Sequence, residues 1–136
     1  MAELKTGLKG RAEVVVTYDN TAAVMGSGAL EVFATPAMVA LMEKAALESV
    51  QPYLEEGQGT VGTRLEISHL AATPVGMTVR AESELVEVDR RKLSFIVTAW
   101  AGDEKIGEGT HQRFIVNNES FLAKAQAKRK SRSQSD

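Results

Sequence analysis

The chain has 136 residues, 43% hydrophobic and 25% charged, with no cysteine. That size suits one domain with its own core, and the composition excludes disulfides, thiolate metal sites and a cysteine nucleophile. Net charge is −2, but the last 13 residues hold five Lys or Arg against Asp136, which leaves residues 1–123 at −6. An acidic body argues against a nucleic-acid partner.

No apolar run approaches the roughly 18 residues of a membrane helix, and the start, MAELKTGLKGRAEV, has no signal-peptide core. A cytoplasmic protein with no membrane partner is expected. Residues 1–123 are expected to form the domain, and the basic stretch 124–136 a tail without regular structure.

In chain order, Ala12–Asp19 (AEVVVTYD) is rich in β-branched residues and predicts a strand. Asn20–Thr35 is mixed, carries Gly26 and Gly28, and predicts an irregular segment able to move. A helix is predicted from Pro36 to about Val50, with Thr35 as N-cap, Pro36 in the first helical position and Gln51-Pro52 as the stop. Its apolar residues, from Ala37 to Leu47, cover nearly the whole circumference, which predicts burial on all sides.

From Thr60 the pattern alternates. Val61, Thr63, Leu65 and Ile67 share one face of a predicted strand that reaches His69. Met77–Val88, Lys92–Ala101 and Ile106–Asn117 follow as strands joined by short turns. One strand, one helix and four hairpin-linked strands predict an α+β fold with an antiparallel five-stranded sheet. A sheet of this kind wrapped around one long helix is the hotdog arrangement. Its edge strand predicts a homodimer.

Few residues can carry chemistry. Glu43 interrupts the apolar helical run FATPAMVALMEKAALESV. It reads as a functional carboxylate, as part of a solvated strip with Lys44, or as the partner of an arginine. His69 and His111 are the only histidines. Imidazole suits proton transfer near neutral pH, yet a lone strand histidine is also a common structural residue. His111 leans toward the structural role, because no carboxylate has a place beside it. Thr35 reads as an N-cap or as a hydroxyl holding a reacting group. At the helix start Pro36 offers no N–H, so amide donors there must come from Ala37 or Met38.

Gly57-Gln58-Gly59-Thr60-Val61-Gly62 spells GxGxxG, but it precedes a strand rather than a helix and is no dinucleotide site. It reads as a loop and bulge, or as an amide facing a ligand. Two histidines and scattered carboxylates show no metal-ligand spacing, and no metal or retained cofactor is expected.

Several blocks together resemble the fluoroacetyl-CoA thioesterase family of the hotdog superfamily: EVFATPAMVALMEKA, PYLEEGQGTVGT, SHLAATPVGMTV, RRKLSFIVTAW and KIGEGTHQR. They run from about Glu31 to Glu119. The resemblance implies a homodimer with sites near the subunit interface. It implies catalytic roles for Thr35, Glu43 and His69, and a Gly62 backbone lining the acyl end of the pocket. Phe33, Ala37, Met38 and Arg113 are the further substrate-binding candidates. Arg64, Arg90, Arg91 and Arg113 read first as ordinary surface charges, and otherwise as contacts to CoA phosphates. The chain departs from the family at Gly26 and Ala29, where lid aromatics are expected, and at Pro36.

The expected activity is hydrolysis of a short-chain acyl-CoA thioester, with CoA present as part of the substrate. A non-catalytic acyl-CoA-binding module and a hotdog dehydratase are the competing readings.

Overall fold

The computed structural model describes residues 3–135, with side chains described through residue 129. Five strands, β1 (Lys9–Val15), β2 (Gln58–His69), β3 (Thr78–Asp89), β4 (Lys92–Ala101) and β5 (Glu104–Asn117), form one antiparallel sheet in the order β1-β3-β4-β5-β2. Hairpins join β3 to β4 and β4 to β5, as the short turns predict. The expected α+β hotdog architecture is present.

Between β1 and the sheet's remainder lie a short helix, α1 (Ala22–Met25), and the long helix α2 (Thr35–Val50). The Asn20–Thr35 segment is more ordered than its composition suggests. Thr21 caps α1 and Gly26 closes it at φ +82°, a left-handed conformation that suits glycine. Backbone bonds from Ala22 N to Val32 O (2.8 Å) and from Ala34 N to Asn20 O (2.9 Å) tie the segment to itself.

α2 lies across β1, β3 and β4. Met38, Leu41, Met42, Ala45, Ala46 and Val50 face the sheet and are buried with Phe33, Leu85, Phe95 and Ile106. At Gly10 an added Cβ would fall within overlap of the Ala45 carbonyl, so β1 packs backbone to backbone on α2. Thr35, Pro36, Ala40, Lys44 and Glu48 are exposed. The expectation of burial on all sides is therefore corrected for the single chain. The sheet covers one side only, and small alanines tolerate either side. The helix ends at Val50 as expected, but Gln51 stays in the right-handed α region and a 3-10 turn follows.

β2 carries a bulge: the register to β5 shifts between Gly62 and Arg64. Gly62 and His69 are seven positions apart, so in a regular strand they would face opposite sides. The bulge restores both to the concave face. It also corrects the predicted alternation, because Val61 no longer shares a face with Leu65 and Ile67.

α3 (Asn118–Ser135) runs through the basic stretch expected to lack structure. Alanine, lysine, glutamine and arginine are strong helix formers, and this helix forms without packing: its described side chains are exposed. Among the described residues, no helix is long and apolar enough to cross a membrane.

Candidate active site

Thr35 is the first residue of α2, and Ala34 occupies the N-cap position without a side-chain cap. The expected N-cap role of Thr35 is corrected. Its hydroxyl is instead 2.7 Å from His69 Nδ1, joining the start of the helix to the end of β2. Burial lowers the His69 pKa below the ordinary imidazole value, and a backbone bond at Ala71 opposes that shift. A neutral ring is therefore favoured. His69 Nε2 is buried with no hydrogen-bond partner. Buried polar atoms are normally paired, and Nε2 is the His69 ring nitrogen that is not. A cleft of about 350 Å³ opens beside it, lined by Phe33, Thr35, His69 and Ala71.

Glu43 lies elsewhere. It sits eight residues beyond Thr35, about 12 Å along a helix at 1.5 Å per residue. Its Oε2 is 3.5 Å from Arg113 Nη1, and a Cβ built on Gly62 would lie 2.6 Å from that same oxygen. Glu43 thus rests against the backbone of β2 at Gly62, over Arg113. The reading of Glu43 as an arginine's partner matches this contact. Its side chain keeps 40% exposure, so one side of the carboxylate stays open.

Within one chain, then, Thr35 and His69 meet, while Glu43 belongs to a second cluster. Two further expectations, for Arg113 and Met38, are corrected, while Arg64 lies as an ordinary surface charge. Arg113 is buried, giving Nε to Thr60 Oγ1 (2.8 Å) and Nη2 to Thr60 O (2.9 Å). It is not a surface clamp for phosphates. Met38 offers no amide to a ligand: its N–H bonds Ala34 O at 3.0 Å, and its side chain is in the core. Arg64 pairs with exposed Glu66 at 2.9 Å. Ala37 keeps its place as a helix-start amide on a half-buried residue. Among the described residues, no cluster of three or more His, Asp or Glu is placed to hold a metal ion.

One cluster holds an imidazole and the other a carboxylate, residue types that acyl transfer uses. Residues 16–119 match the family model for FlK, the fluoroacetyl-CoA-specific thioesterase. The chain belongs to that family. The fluoroacetyl-CoA thioesterase of Streptantibioticus cattleyicolor is 48% identical over 98 residues, 72% of this chain and 70% of that protein. A crystal structure of a phenylalanine-to-alanine mutant of FlK superposes with a TM-score of 0.87 at 39% identity, covering 94% of this chain and 99% of that one. A Thermus thermophilus hypothetical protein, a thioesterase superfamily member, gives a TM-score of 0.89 at 28% identity over 100% of both chains. As a member of this thioesterase family, the chain is a thioester hydrolase.

In this thioesterase, His111 is buried and hydrogen-bonded, as its structural leaning predicts, but a carboxylate does lie near it. His111 is 1% exposed and lies beside Glu43's cluster, 3.2 Å from Arg113. The signal was present: His111 and Arg113 alternate on β5, and Arg113 pairs in register with Gly62. Gly62 itself sets the room for the carboxylate. Gly62→Ala is expected to displace Glu43, since the clashing atom is the tip of a flexible side chain. Turnover should fall about 10²-fold while the fold survives, because misplacing a reacting group by about 1 Å has that scale of effect. Steady-state kinetics with a thermal melt check this.

Proposed function

We propose that this thioesterase hydrolyses short-chain acyl-CoA thioesters to the free acid and CoA, in sites that two copies of the chain build together. The separation of Glu43 from the Thr35–His69 pair carries this reading. β2 is an edge strand, and an edge of 12 residues invites pairing with a second copy. Antiparallel pairing of β2 with itself about a two-fold at Glu66 sets Leu65 opposite the partner's Ile67, and the extra residue of the bulge between Gly62 and Arg64 then brings Gly62 opposite the partner's His69. Glu43 of one copy then faces the partner's His69, whose unpaired Nε2 gains a counterpart.

The chemistry follows from the groups. The Glu43 carboxylate acts on the thioester carbonyl carbon, by direct attack giving a mixed anhydride that water opens, or by taking a proton from an attacking water. In both routes the C–S bond breaks and the CoA thiolate leaves with its electron pair. Neutral His69, held at Nδ1 by Thr35, moves a proton at Nε2 during breakdown. Backbone amides at Gly62 or Ala37 are the oxyanion donors. Thr60, His111 and Arg113 bond one another behind Glu43, and this packed wall supports the choice of a short acyl group. The cleft beside Phe33 and His69 receives the pantetheine arm.

The test is thiol release from a panel of acyl-CoAs, from acetyl and fluoroacetyl to octanoyl. Two- to four-carbon groups should turn over at least about tenfold faster than octanoyl, the scale on which apolar sites discriminate by size. Binding without thiol release would identify a non-catalytic module instead.

A further inference from the structure

The inference rests on Glu43 acting at the thioester, and it concerns what holds that carboxylate in place. His111 Nδ1 is 2.8 Å from the Arg64 carbonyl oxygen. A carbonyl only accepts, so Nδ1 carries the hydrogen. A neutral ring in that tautomer has its lone pair on Nε2. Arg113, which only donates, points Nη1 at that nitrogen from 3.2 Å. Phe95 stacks on the imidazole with ring centroids 5.9 Å apart, and the ring is held at both nitrogens.

The guanidinium is fixed on its other side by Thr60, through Nε to Oγ1 and Nη2 to O. Its remaining Nη1 hydrogen is directed at Glu43 Oε2. Burial favours the neutral ring and the Arg64 carbonyl opposes it; Arg113 beside it disfavours a second cation, against the pull of Glu43. We propose that His111 is a positioning residue for the reaction: as a neutral ring protonated at Nδ1, it anchors Arg113 through Nε2, and the anchored guanidinium sets where the Glu43 carboxylate rests. His111 reaches the carboxylate through Arg113.

The experiment compares His111→Phe, which keeps a ring on Phe95 and loses the acceptor, with His111→Gln, whose amide oxygen can accept from Arg113. His111→Phe should lower kcat by about tenfold or more with KM changed less than about threefold, and His111→Gln should recover most of that loss. On an Arg113→Met background, adding His111→Phe should cost less than about twofold more, because the two residues act as one unit. Additive losses, or a His111→Phe enzyme as fast as the unsubstituted protein, would overturn the proposal. Should His111→Phe fail to fold, ¹⁵N NMR of the intact protein near neutral pH decides: hydrogen on Nδ1 supports the anchor, and hydrogen on Nε2 overturns it. Full activity in Glu43→Gln would instead remove the reading of Glu43 on which the inference stands.

Discussion

Glu43→Gln is expected to lower kcat by about 10³-fold with a melting temperature within a few degrees of the unsubstituted protein, since a positioned carboxylate acting on the carbonyl or its water is worth about 10²–10⁴. The amide is nearly isosteric, and its oxygen still accepts from Arg113 Nη1. What it lacks is the charge needed to attack carbon or to take a proton. Both routes to the acid need that charge, so the loss does not depend on which one operates. KM should change little, because the cleft proposed for CoA lies beside His69 and does not include Glu43. A Glu43→Gln enzyme with near-normal turnover would leave Glu43 as the ordinary partner of a buried arginine.

Much of the fold was legible because hydrophobic period and turn chemistry agree. β3, β4 and β5 are separated by short polar turns, and their buried residues alternate as a one-sided sheet requires. α2 was legible from its helix formers and from Pro36 in its first turn. The failures have physical causes. The apolar circumference of α2 predicted burial all round, yet Ala40 is exposed because a single sheet covers a single side. A bulge was readable from the glycines of Gly57–Gly62, but a two-residue period does not carry its effect on the alternation, and its place between Gly62 and Arg64 decides which face Gly62 presents.

The candidate site was legible in parts. Thr35, Glu43 and His69 were marked by residue type and family resemblance, and Thr35 does meet His69. That Glu43 stands apart from that pair in one chain was not legible, because residue spacing does not say which side chains the fold brings together; the resemblance alone placed the sites near a subunit interface. Arg113 looked like a surface cation, since arginine is rarely buried unless paired. Its partners Thr60 and His111 come from β2 and from its own strand, and only the β2–β5 register brings them together.

The shared site can be tested by mixing two crippled proteins. Glu43→Gln alone and His69→Ala alone should each be nearly inactive. Unfolding and refolding them together at equal amounts should form mixed dimers as about half of the population. Each mixed dimer holds one site with Glu43 from the His69→Ala copy and His69 from the Glu43→Gln copy. Its second site lacks both groups. The refolded mixture should therefore regain about a quarter of the unsubstituted activity, one working site in half of the two-fold dimers. With mixed dimers shown to form by native mass spectrometry, a preparation as inactive as its parents would contradict a site assembled from both copies.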